Sequence, residues 1–298
     1  MILNCQKRQG RQKSRYPGFP SQALWQSIIF RSGISKKNVL MKRYLLVVPL
    51  LLCGVHARAD TPAAVAESNY QAGLTGGDTY ISGNRTSNFW DLSGSANFPL
   101  GTYFGTSLSG DYIHTNITSN PFPDSIPASA WPSCVVESEN LDAGLFARKP
   151  SLGRIGVAYG AGRQKSQCNA TFLASGTDTL KTHHSTADAE YYFSMVTVGV
   201  SRTWTTIESG PNLDSDTLTA SWYPYNDMRL TLAADGLDLK DTYHLSMEYQ
   251  PEFLDNFMSL VLGYTTQRQT VTTHIFTFGL NYYFGTNVDL LARDRQYR

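Results

Sequence analysis

The decapeptide "IFTFGLNYYF", residues 275–284, carries Phe276, Phe278, Leu280, Tyr282 and Phe284 on alternate positions, with Thr277, Gly279, Asn281 and Tyr283 between them. A repeat of two puts these sets on opposite faces of a β-strand. Two environments accept such a strand. A soluble sheet packs one face on a core and wets the other. A membrane barrel turns its apolar side to lipid and its polar side to a lumen.

The rest of the chain repeats the pattern. Ala66, Ser68, Tyr70, Ala72 and Leu74 alternate with Glu67, Asn69 and Gln71; Trp90, Leu92, Gly94, Ala96 and Phe98 alternate with Asp91, Ser93, Ser95 and Asn97. A third segment sets Phe104, Thr106, Leu108, Gly110 and Tyr112 against Ser107, Ser109 and Asp111. Others run at about 139–149, 153–165, 184–193, 195–206, 215–223, 228–235, 241–250, 256–267 and 273–284, which makes twelve. Segments of about ten residues cross a bilayer at a tilt near 45°.

Loop length decides between the two environments. Tight turns fall near Pro99-Leu100-Gly101, Lys149-Pro150-Ser151, Ser194, Tyr225-Asn226-Asp227 and Pro251–Asp255, and longer loops, above all 116–138 and 167–183, lie between them. A transmembrane barrel has short periplasmic turns and longer external loops, and a soluble sandwich has no reason to sort its loops by parity. Phe98, Phe104, Tyr191, Phe193, Trp222, Tyr249, Phe253 and Phe284 gather beside the short turns, where an interfacial girdle belongs. The expected fold is therefore all-β, an antiparallel up-and-down transmembrane β-barrel of about twelve strands over residues 60–285, followed by a periplasmic tail, 286–298. An even strand number puts both barrel ends on the periplasmic side.

The last strand, with alternating aromatics ending in Phe284, resembles the C-terminal recognition signal of porin-like Gram-negative outer-membrane proteins. The resemblance covers that strand specifically and the others as a pattern. It implies outer-membrane location, contact with lipid and lipopolysaccharide, and delivery by the outer-membrane assembly machinery. The chain departs from the family pattern in that "GTNVDLLARDRQYR" follows Phe284.

Charge agrees with export. Residues 1–59 hold eleven of the 25 Lys and Arg and none of the 24 acids, so residues 60–298 carry 14 basic against 24 acidic side chains, a balance of −10. Such a chain lacks the basic patch of a nucleic-acid binder. "MKRYLLVVPLLLCGVHARAD" from Met41 has a Lys42-Arg43 start, an apolar run and Ala57-Arg58-Ala59, which is the build of a secretory signal peptide over 41–59. Its apolar run is shorter than the ~20 residues of a spanning helix. Residues 1–40 show no usable period, and we expect translation to begin at Met41, with 1–40 an upstream extension outside the working protein.

Cys134 and Cys168 remain after signal cleavage, in the two longest loops. An exported pair in an oxidising compartment predicts a disulfide. Parity assigns Glu67, Asp91, Asp111, Asp142, Asp188, Glu190 and Glu248 to the lumen, with Arg148, Arg154, Arg229 and the polar His244. An acid-rich lumen concentrates cations, so the expected function is a passive, cation-preferring channel for small solutes. Against it stands a barrel whose side chains fill the interior and whose function lies in its external loops. Arg202 has lipid-facing parity between Val200 and Trp204, unless a bulge turns it inward.

A third possibility is lipid hydrolysis, which would need a Ser activated by His on the lipid face. His244-x-Ser246 has lumen parity, whereas His183-x-Ser185 has lipid parity at the outer end of a strand. No third residue is identifiable by spacing, and the expectation is a non-enzyme. No metal-ligand spacing, phosphate loop or nucleophile elbow occurs, so no cofactor is expected.

Overall fold

A computed structural model of the protein describes residues 67–81, 84–118, 133–168, 177–208, 210–236, 242–268, 272–285 and 287–297. The extension 1–40, the signal peptide 41–59 and the middles of both long loops lie outside the described residues. Twelve strands follow one another: β1 (Asn69–Ile81), β2 (Asn84–Pro99), β3 (Phe104–Ile117), β4 (Cys134–Lys149), β5 (Gly153–Cys168), β6 (Thr177–Tyr192), β7 (Val196–Ile207), β8 (Leu213–Tyr225), β9 (Met228–Asp235), β10 (Thr242–Tyr249), β11 (Met258–Arg268) and β12 (Thr272–Phe284). Each pairs antiparallel with its successor, and β1 closes on β12 with Tyr70 opposite Phe284 and Ile81 opposite Thr273. This is the expected meander of twelve strands. Closure pairs backbone groups that an open sheet edge would leave bare in lipid.

The opening stretch sits in this wall as its period demands. Phe276, Phe278, Tyr282 and Phe284 are exposed on the outer surface, whereas Tyr283 between them is 3% exposed. Leu74, Leu92, Leu108, Leu141, Leu145, Ile155, Val157, Leu232, Leu245 and Leu262 continue the apolar belt around the barrel. A belt of this kind is tolerable only against lipid, so the protein is a transmembrane barrel of the outer-membrane architecture. Beside the short turns, Tyr70 meets Phe98 edge-on at 5.8 Å, Tyr191 meets Phe193 at 4.8 Å and Tyr282 meets Phe284 at 4.6 Å.

The sequence pattern did not reveal a second aromatic layer towards the opposite rim. Trp90 packs on Tyr112 at 5.2 Å and Tyr264 on Phe276 at 5.1 Å. A histidine stacks on each of three members of this layer: His114 on Trp90, His183 on Tyr159 and His274 on Tyr264. An amphipathic ring with a polar edge suits the lipid–water boundary.

Several strands run further outward than the alternation suggested. The cysteines are accordingly not in loops, as the sequence led us to expect. Cys134 opens β4, Cys168 ends β5, and the two stand directly opposite in the antiparallel register. Beyond the lipid both faces of a strand are wet, so the hydrophobic period fades while the ladder of backbone hydrogen bonds continues. "TDTLKT" at the start of β6 shows this.

Candidate functional site

With the apolar residues outward, the intervening side chains form the inner face, and the charges there sort into two tiers. The first lies at mid-height. Asp111 accepts a 2.9 Å hydrogen bond from Asn140 Nδ2, and Asp142 pairs with His184 Nε2. Asp91 stands two residues along β2 from Ser93, the register partner of Asp111, and its Oδ1 is buried with no hydrogen-bond partner among the described residues. On the far wall His244 joins Asp235 at 2.9 Å through Nε2 and Thr265 at 2.8 Å through Nδ1.

These side chains lean along the wall. A Cβ placed on Gly160 would run into Asp142 and His184, and one on Gly162 would run into Asn140 and Thr182. The two glycines of β5 are the floor on which the β4 and β6 side chains lie. Neighbours that recline over glycine do not reach for the barrel axis.

The second tier rings the short-turn end. Arg148 and Arg154 face each other across β4 and β5, each guanidinium 4.9 Å from the Phe146 ring centroid. Arg154 donates to Asp188 at 2.8 Å, and Tyr192 donates to Glu190 at 3.1 Å. On β9 and β10 the guanidinium of Arg229 pairs with Glu248, whose carboxylate also takes hydrogen bonds from Ser259, Tyr283 and, at 3.0 Å, Asn281. Arg148, Glu248 and Ser259 are all buried. A buried carboxylate with this many donors is a structural anchor as much as a charge. Glu67 differs from the rest of the expected set: it precedes β1 and is exposed.

The tail completes this tier. Residues 287–297 turn back into the barrel end as a short helix, α1 (Leu290–Ala292), and a wider turn, Arg293–Tyr297. Asp289 caps α1 by accepting from the Ala292 amide at 2.7 Å. Leu290 is 1% exposed and Arg293 2%. Asp294 accepts from Arg229 and from Tyr223, both at 2.6 Å. Arg293 reaches Asn69 of β1 at 3.3 Å and lies over the Tyr283 ring, while Arg295 donates to the carbonyls of Ser194 and Val196. Burial pushes both tail guanidiniums below their usual range.

Sequence reasoning missed Asp294, Arg293, Arg295 and Tyr223, whose partners come from distant strands, and also His184. Parity alone could have found His184, which alternates with the lipid-facing His183 and shares its face with Asp188 and Glu190.

Outside the wall, the pairing of β7 with both neighbours continues without a register shift past Arg202. The side chain therefore keeps its outward parity, 5.5 Å over Trp204 and 3.0 Å from Asp214. The His183 ring stacks on Tyr159, with Nδ1 3.3 Å from the phenol oxygen.

No protein-family model matches the chain, and no curated protein matches it. Among solved structures, the translocator domain of the autotransporter NalP from Neisseria meningitidis is 11% identical, with 72% of this chain and 88% of that chain covered and a TM-score of 0.45. The toluene transporter TbuX of Ralstonia pickettii is 10% identical, with 73% and 89% covered and a TM-score of 0.41. The KdgM porin, in a complex with disordered oligogalacturonate, is 10% identical, with 72% and 99% covered and a TM-score of 0.46. All three superpositions stay below a TM-score of 0.5, and none speaks to function.

Proposed function

We propose that the protein is a passive outer-membrane channel for small solutes, non-enzymatic, with a preference for cations. The inner face supports this reading. Asp91, Asp111 and Asp142 form a mid-height acidic arc, opposed locally by His184; Asp142 and His184 lie over Gly160, and Asn140, which holds Asp111, lies over Gly162, instead of crossing the interior. Charges of one sign between low-dielectric walls focus counter-ions, and a ring of carboxylates selects for cations. In this reading the apolar belt and Arg202 meet membrane lipid and lipopolysaccharide, β12 is the strand presented to the assembly machinery, and the short turns face the periplasm.

Reversal potentials across a planar bilayer test the proposal. The purified protein is expected to pass cations in preference to anions, with a preference that shrinks towards 1 M salt, where screening shortens to about 3 Å. The triple variant Asp91→Asn, Asp111→Asn, Asp142→Asn should bring the permeability ratio close to one while the barrel still shifts on a gel after boiling. Anion preference in the parent, or a ratio untouched by the triple change, rejects the proposal.

A second reading is favoured by the tail, which lies across one end of the barrel. In that reading the interior is shut permanently and the external loops are the working part.

A further inference from the structure

We propose that residues 287–297 are a releasable plug across the short-turn mouth, latched by the Asp294 carboxylate on Arg229 and Tyr223. The inference rests on the channel reading above and supplies its regulation. Three observations carry it.

The first is reach. Arg293 bonds Asn69 on β1, and Arg295 bonds the Val196 carbonyl on β7. In a barrel of twelve strands, β1 and β7 stand on opposite sides. Strands ~4.8 Å apart and tilted ~40° give a barrel about 24 Å across, so the segment crosses the mouth and does not merely follow its edge.

The second is fit. A polar segment that merely trailed from the last strand would be wet, yet Leu290, Arg293 and Tyr297 are all buried. The segment is also docked by backbone: the Leu291 amide donates to the Asn226 carbonyl at 3.0 Å, and Asn226 Nδ2 donates to Asp289 at 3.2 Å.

The third is the nature of the hold. It consists of charge-assisted hydrogen bonds, together with Arg295 stacking at 5.3 Å from Tyr192 and 5.8 Å from Tyr223. Burying such charges carries a desolvation cost that release recovers, so the net hold is smaller than the number of contacts suggests, and both tail arginines are held against their own desolvation. The mouth therefore has a folded cover joined to the barrel by a single chain crossing after Phe284.

The test compares three proteins in planar bilayers: the full chain, a chain ending at Gly285, and the full chain with Asn226→Cys and Asp289→Cys, recorded oxidised and then reduced. Gel shift on boiling certifies each barrel as folded. The proposal expects several-fold higher steady conductance from the shortened chain, and openings in the reduced double-cysteine protein that disappear on oxidation. If the shortened chain fails to fold, the comparison of oxidised with reduced protein decides alone. Equal conductance in all of them overturns the plug and leaves the channel reading intact. No conductance from either the full or the shortened chain overturns both, because there is then no pathway for a plug to close.

Discussion

At the scale of single residues, the inner face is organised by what glycine leaves empty. Asp142 and His184 meet over Gly160 because a hydrogen there admits them. Gly160→Ala should force the pair apart at a cost of about 1–3 kcal/mol, read as a lower midpoint of heat-induced unfolding in detergent, while an alanine at the exposed turn residue Gly101 should change little. Asp188 makes a related point. Parity in the sequence assigned it to the lumen, and its counter-ion is Arg154. Removing the charges of Asp188 and Glu190 would leave Arg148 and Arg154 unbalanced at the mouth, so that double change should push selectivity towards anions more strongly than simple loss of two acids.

Cys134 and Cys168 belong to the same scale. Opposite residues of an antiparallel pair have Cα atoms 4.5–5.5 Å apart, within the span of a disulfide. We predict that the two are bonded in the exported protein and resist alkylation until a reductant is added. Closing 34 residues in this way should contribute about 3–4 kcal/mol by the chain-entropy account. Free labelling of both thiols without reductant would refute the bond.

At the scale of elements, what could be read from the sequence was what the bilayer imposes. Wherever a strand crosses lipid, one face must be apolar and the other polar, and the period of two exposes it: Phe276, Phe278 and Tyr282 against Thr277, Gly279 and Asn281 is enough to orient β12. Outside that slab the constraint lapses. The outer ends of β4, β5 and β6 carry no face preference that a sequence could show, although they pair residue for residue up to Cys134 and Cys168. The outer aromatic layer escaped notice for a related reason, since its rings on β2, β5 and β11 are far apart in sequence and are collected only by closure. The candidate site was legible as a list of inward charges and illegible as pairs, because pairing depends on register. "DLLARDRQYR" was more opaque still: it has no period, and the partners that hold Arg293 and Asp294 include Tyr223, Arg229 and Asn69, on strands more than sixty residues upstream.

At the scale of the whole molecule, the mouth tier is a single network, and it can be tested as one. Glu248→Gln should unbalance Arg229 and loosen Ser259 and Tyr283 together, at a cost of about 3–5 kcal/mol for breaking a buried pair from one side. The heat-modified midpoint should fall accordingly, and the tail should become cleavable by protease in the folded barrel. Acidity offers a gentler handle. Asp227, in the turn beneath the tail, has its carboxyl pushed up by burial and then by Asp289 and Glu252. The docked state thus holds this proton more tightly than the released one. The contribution of Asp227 to docking is full below the ordinary aspartate range, near 3.9, and is lost as pH rises through the raised value. Tail cleavage should therefore accelerate from acid to neutral pH, and Asp227→Asn should flatten that dependence. A profile unchanged by the substitution would assign the effect elsewhere.

The seam between β1 and β12 adds a dimension of time. Every other pairing joins neighbours along the chain, whereas this one joins residues some two hundred positions apart, and distant closure is the slow step of a β-topology. Arg293 touches both sides of that seam, Asn69 on β1 and Tyr283 on β12. Its berth does not exist until the first and last strands have met. On the plug reading, a newly made barrel is therefore open at its base until the first and last strands have met, and it closes only after that. Maturation and closure then become one event, with the tail the last segment to find its place.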